Sequence, residues 1–202
     1  MRPVPEVVIK VVSRGSETLE AVQVHVETMG KGQRRALEDD QGEPIRGKAA
    51  AARLIEDWDL DLEALLGRRV YIDRARSKPL KLVHKLVFSM PAGTSPEKLL
   101  TAVRNFVQGE FACHRYALGL HTDEPHPHVH VMVKAVSEQG VRLNIRKATL
   151  RGWREEFARH LRAQGIEANA TRRAARRRRP LIRGPVSSLR VQSPHLLRQS
   201  HD

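Results

Sequence analysis

Four of the ten histidines in this 202-residue chain fall within the run His121-Thr122-Asp123-Glu124-Pro125-His126-Pro127-His128-Val129-His130. His128 and His130 stand two apart in a valine-rich segment. Side chains alternate faces along a strand, so both imidazoles project from one face while Val129, Val131 and Val133 enter the core. His121 closes the preceding apolar segment, and an antiparallel return brings it beside the pair. Three neutral imidazoles with coordination positions left open suit one divalent cation, Mn, Mg, Zn or similar. Asp123 and Glu124 are close enough in sequence to orient a ligand imidazole from behind. Core packing explains a lone histidine well, but not four histidines and two carboxylates so close together.

The flanking sequence supplies elements to hold this cluster. Val7–Val12 is β-branched and reads as a strand, and Thr18–Met29 reads as a helix ended by Gly30 and Gly32. Residues 33–47 are polar, a hairpin or loop. Residues 48–66 have helical spacing, broken around Trp58-Asp59-Leu60-Asp61. Arg68–Pro79 has many charges and little periodicity, and is expected to be a loop. Leu82–Met90 is a strand. Ser95 is placed to cap a helix with Pro96 at its first position, and Leu99, Leu100, Val103, Phe106, Val107 and Phe111 form its apolar stripe. Arg115–Thr122 and His128–Val136 are strands paired across a short linker. Val141–Ile145 is a further short strand, and Thr149–Gln164 a helix with Leu150, Trp153, Phe157 and Leu161 inward.

Composition narrows the class. A chain of this length buries roughly 70% of its surface, enough for one domain. No apolar run reaches the ~18 residues of a membrane span, and no signal-peptide pattern opens the chain. One cysteine excludes an internal disulfide framework. A cytoplasmic protein is expected. The net charge of +13 favours polyanions, and aromatic residues at 4% argue against a broad base-stacking platform. The charge is uneven: residues 171–202 hold nine arginines and one aspartate. The expected organisation is a domain over 1–170 and a basic tail over 171–202.

With its flanks, the run from His121 to Val133 resembles the third motif of the P-type conjugative relaxases, the mobilisation nucleases of the HUH endonuclease superfamily. The similarity extends upstream through the strand and turn Lys81–Pro91. Downstream it takes in Lys134–Gly140 and Leu143–Thr149. It is good from Lys81 to Ala170 and weaker from Val7 to Gly67. The resemblance implies an α/β (α+β) fold, an antiparallel sheet of about five strands flanked by helices with the metal site on its open face. It implies that His121, His128 and His130 hold one divalent metal ion that grips the scissile phosphate. A tyrosine on the first helix would attack that phosphate, helped by Asp123, and His126 would support the ligands from behind. The implied partners are single-stranded DNA at a transfer origin and accessory relaxosome proteins.

The first helix departs from that pattern. Anchored on Lys31-Gly32, the tyrosine slot holds Glu27, with His25 nearby; a shift of one residue puts Thr28 there. Tyr116 lies five positions before His121 and so faces the other side of the strand. Tyr71 falls in the charged segment expected to be a loop. Glu27 and His25 are therefore the catalytic candidates beside Asp123, to orient or deprotonate a water. Lys134, Arg142, Arg146 and Lys147 are candidate DNA contacts after the metal strand, and Arg172, Arg173, Arg176 and Arg177 in the tail. Three readings compete: a metal-dependent relaxase-type nuclease, a relaxase-like protein that binds DNA without cutting, and a histidine-triad nucleotide hydrolase. The last rests on His126-Pro127-His128-Val129-His130-Val131-Met132, but Pro127 removes a ladder donor from its strand.

Overall fold

The computed structural model describes residues 4–12, 17–30, 37–46, 49–73 and 80–170, with side chains undescribed over 67–73. Six strands form one sheet: β1 (Val8–Val12), β2 (Leu37–Asp39), β3 (Pro44–Ile45), β4 (Val83–Ser89), β5 (Tyr116–His121) and β6 (His128–Lys134), in the order β1-β4-β6-β5-β2-β3. Each neighbouring pair is antiparallel. Five helices flank it: α1 (Leu19–Gly30), α2 (Ala50–Asp57), α3 (Leu60–Asp73), α4 (Pro96–Glu110) and α5 (Lys147–Ala163). Two of the six strands, β2 and β3, come from the polar 33–47 segment, whose turn is built by Asp39: its carboxylate accepts from the backbone N–H groups of Gln41 and Glu43.

Period-two alternation divides the core. On one face, Leu86 and Phe88 of β4, Leu118 of β5 and Val129, Val131 and Val133 of β6 pack against α4 and α5. Phe106, Phe157 and Trp153 meet there edge to face, and each such buried side chain stabilises by roughly 1.5–3 kcal/mol. On the other face, Val83, Ala117 and Met132 pack against Val22, Val26 and Met29 of α1 and Leu54 of α2. Trp58, 1% exposed, fills the corner between α2 and α3, where Asp59 takes a left-handed conformation with φ 49°. Arg104 on α4 ties the edge hairpin down through a bidentate contact with Glu38 at 2.8 and 2.6 Å.

Several boundaries differ from expectation. The segment read as a loop from Arg68 is helical as far as Asp73, as the continuation of α3 from its buried first residue, Leu60; residues 74–79 lie outside the described residues, as do 171–202. Ser95 occupies the N-cap position of α4, yet its hydroxyl makes no capping bond; Pro96 alone carries the start signal. The expected strand over Val141–Ile145 is reduced to a single bridge, Val136 to Arg142. A turn with Gly140 at φ 77° closes there, and the chain leaves the sheet for α5.

Candidate metal centre

The three histidines meet through register. His121 is paired with His128 across β5 and β6, and His130 faces Gly119, which has no side chain to fill the space beside it. Ring centroids are 5.2 Å apart for His121 and His128, 4.6 Å for His121 and His130, and 5.2 Å for His128 and His130. One nitrogen from each ring lies within 4.8 Å of the others. Imidazoles on one cation, at about 2.0–2.1 Å each, hold their nitrogens about 3–3.5 Å apart, so a small contraction suffices.

Two of the rings are oriented by backbone carbonyls. A carbonyl only accepts, so the nitrogen facing it carries the ring proton and the other nitrogen keeps its lone pair. Nε2–H of His121 donates to the Met29 carbonyl at 3.1 Å, at the end of α1. Nδ1–H of His128 donates to the His126 carbonyl at 3.1 Å. His126 therefore contributes its backbone: its own side chain is exposed in the turn before β6. This breaks the in-line three-histidine strand that a histidine-triad hydrolase requires. Asp123 stands with a carboxylate oxygen 3.7 Å from Nδ1 of His121 and is largely exposed.

Burial favours the neutral form of two of the ligand rings, His130 and His121, and the neutral form is the state that binds a cation. Burial, then the His121 charge, pushes His130 down to about 4. Burial lowers His121 as well, with His128 the next cause. His25 is brought to the cluster from α1, its ring centroid 6.1 Å from that of His130. Burial, then the neighbouring Lys85 charge, pushes it down to about 4.

Helix α1 separates the remaining candidates. At 3.6 residues per turn, Glu27 lies about 160° around the helix from His25, and Thr28 only about 60°. Glu27 is exposed, accepting a hydrogen bond from Gln23 at 3.3 Å. The structure thus brings His25 to the histidines and turns Glu27 away, and the slot on the histidine flank is Thr28. The Thr28 hydroxyl donates to the Val24 carbonyl at 2.7 Å. Tyr116 is 5% exposed and belongs to the opposite core, as its spacing requires. Tyr71 lies on α3 rather than in a loop, with its side chain outside the described residues.

The face bearing the histidines is not open throughout: α1, α2 and α3 cover much of it. Among the described residues, the strip formed by Val8, Lys10 and Val12 of the edge strand β1 with Val87 and Ser89 of β4 keeps partial or full solvent access. Lys10 pairs with Val87, and Val87 with His130, so Lys10 shares the histidine face two strands away, about 10 Å. Lys10 is exposed. Sequence reasoning missed it, though its place in Val8-Ile9-Lys10-Val11-Val12 marks it as the polar member of an alternating strand.

The basic residues expected to touch DNA gather elsewhere. His128 begins β6 and Lys134 ends it, about 20 Å away. Lys134 is 5% exposed and paired with Glu138 at 3.5 Å. Arg142 donates to the Lys81 carbonyl at 2.8 Å, at the same far end. Arg146 occupies the N-cap position of α5 and Lys147 begins that helix. None of the four is brought to the histidines, because the chain after β6 runs away from the site before turning back along α5. Arg172, Arg173, Arg176 and Arg177 lie outside the described residues.

Comparison with known proteins locates this geometry. The family model for the relaxase MobA/VirD2-like nuclease domain matches residues 47–166, which include β4, β5, β6 and all three histidines. Helix α1 lies outside the match. No curated protein matches the sequence. A structure solved in work on the molecular basis of vancomycin resistance transfer in Staphylococcus aureus is similar at 14% identity and a TM-score of 0.47. The alignment covers 84% of this chain and all of that one. Among the described residues, no helix is long and apolar enough to cross a membrane.

Proposed function

This chain belongs to the relaxases, as a member of the MobA/VirD2-like nuclease-domain family, and from that premise we propose that it is a metal-dependent endonuclease domain that nicks single-stranded DNA at a transfer origin. Convergence of His121, His128 and His130 inside the family-matched segment carries the reading. A divalent cation held there would neutralise charge on the scissile phosphate and polarise it. The chain's own groups do the rest. The Met29 and His126 carbonyls fix two of the rings, and Lys10 offers a phosphate contact on the open strip of the same face. Asp123, exposed beside His121, is the base available to a reacting oxygen.

The nucleophile sets this chain apart. A phenol suits covalent capture because phenolate both attacks and leaves well, and α1 offers none: Thr28 fills the position on the histidine flank. Cleavage is therefore by water. The water oxygen bonds to phosphorus as the bond from phosphorus to the sugar oxygen breaks; the water's proton passes to Asp123, and the departing sugar oxygen takes a proton from solvent to leave as a hydroxyl. The alternative is a domain that binds origin DNA without cutting it, which the missing phenol favours. Both readings leave room for accessory relaxosome proteins.

Incubation of a single-stranded origin oligonucleotide with Mn separates these readings. Metal-dependent nicking without a denaturation-resistant adduct is expected, with Thr28→Tyr more effective than Glu27→Tyr at introducing an adduct. Binding without nicking supports the non-cutting reading. A wild-type adduct that disappears in Tyr71→Phe would place the nucleophile on α3 and overturn the assignment to α1.

A further inference from the structure

Among the described residues, two side-chain nitrogens are buried without a hydrogen-bond partner: Nε2 of His25 and Nδ1 of His130. Their rings are neighbours, 6.1 Å between centroids and inclined at 62°. A buried imidazole nitrogen left unpaired loses its hydration without a replacement, so two such atoms side by side call for a common explanation. The other two histidines supply one by contrast. His121 and His128 each give one ring nitrogen to a backbone carbonyl and keep the other free. His130 has no carbonyl, and where one would be expected stands His25.

We propose that His25 is the positioning residue for His130, its Nε2 accepting the Nδ1–H of His130 when a cation is bound, an assignment that rests on the three-histidine metal site. The sealed atom of His130 is Nδ1, so the distal Nε2 is the nitrogen that faces the open site. A cation on Nε2 requires that nitrogen to be unprotonated, which places the ring proton on Nδ1 and makes it a donor. With its own proton on Nδ1, His25 presents a lone pair at Nε2. The two orphaned atoms then become a donor and an acceptor. Helix α1 thereby orients two ligands of the site, His121 through the Met29 carbonyl and His130 through His25.

The test is calorimetric titration of the metal-free full chain with Co(II), together with its melting temperature. His25→Gln keeps an acceptor at the reach of Nε2, while His25→Phe keeps a ring and removes it. Ligand-orienting partners typically contribute about ten- to a hundredfold in metal affinity. The expected result is a loss of that size in His25→Phe, binding within about threefold of wild type in His25→Gln, and like melting temperatures without metal. If the Phe variant does not melt cooperatively, His25→Leu replaces it as the nitrogen-free form. Wild-type affinity in the nitrogen-free variant overturns the proposal, and so does an equal loss in His25→Gln. Failure of the metal site itself is distinguishable: wild type and His130→Ala would then bind Co(II) alike, and the inference would fall with it.

Discussion

An imidazole ligates a cation only through an unprotonated nitrogen, and each residue here meets that condition differently. His121 is restrained by a carbonyl on another element, His128 by the carbonyl two residues before it, and His130 by burial alone in the absence of metal. Removal of any one ring leaves two ligands, too few to hold a divalent ion firmly in water. His121→Ala, His128→Ala and His130→Ala should each weaken Mn or Zn binding by orders of magnitude in a calorimetric titration. His126→Ala retains the backbone carbonyl that orients His128, so its loss should be small. Equal, small losses in all four variants would remove the three histidines from the assignment.

At the scale of elements, β4 lies at the centre of the packing and carries its own titratable group. His84 is buried, its Nε2–H donating to the Leu143 carbonyl at 3.2 Å, and it fastens the segment leading into α5 to the sheet. Burial, then the Lys81 charge, pushes it down to about 4. In the unfolded chain it takes up a proton near 6.5, so the unfolded state binds more protons between those values. Stability from this group is present at neutral pH and is lost as the pH falls from about 6.5 to about 4. At about 1.4 kcal/mol per pH unit the full shift would be roughly 3 kcal/mol, and partial solvent access reduces that to roughly half. His84→Gln should flatten the fall in melting temperature over that range; an unchanged profile assigns the acid sensitivity to other groups. Sequence periodicity placed β4, α4, β5 and β6 because each alternates or repeats against a deep core, and the antiparallel pairing that brings His121 alongside His128 and His130 followed from a five-residue linker; the register itself, His121 opposite His128, came from the structure. The 33–47 segment read as a hairpin or loop, but its strands could not be placed for a physical reason: the hairpin is held by Asp39 and the Arg104–Glu38 contact rather than by an apolar pattern. His25 was visible as a candidate, but its proximity to His130 depends on how α1 lies across the sheet, which spacing along one helix does not encode.

At the scale of the molecule, charge and chemistry are separated. The histidines sit at one end of the strands and Lys134 at the other, about 20 Å away, with Arg142 held to the Lys81 carbonyl near that far end and Arg146 and Lys147 at the start of α5. Beside the histidines, Lys10 is an exposed base on the same face, and one lysine supplies little of the attraction a nucleic-acid strand requires. Most of the net charge of +13 instead resides in residues 171–202, with nine arginines against one aspartate. The division suggests two contributions to DNA binding, a local one that seats a phosphate at the metal and a diffuse one that holds the strand nearby. Counterion release measures the second, because each phosphate neutralised on a single strand adds about 0.7 to the slope of log affinity against log salt. Deletion of residues 171–202 should make that slope shallower by several units while leaving Mn affinity at the histidines unchanged. Lys10→Ala should change it by no more than about one unit, yet reduce nicking at saturating DNA, since its role is to place the strand rather than to attract it. A slope unaffected by the deletion would leave the tail outside DNA binding, and the strand's attraction would then have to come from the bases at the far end of the sheet.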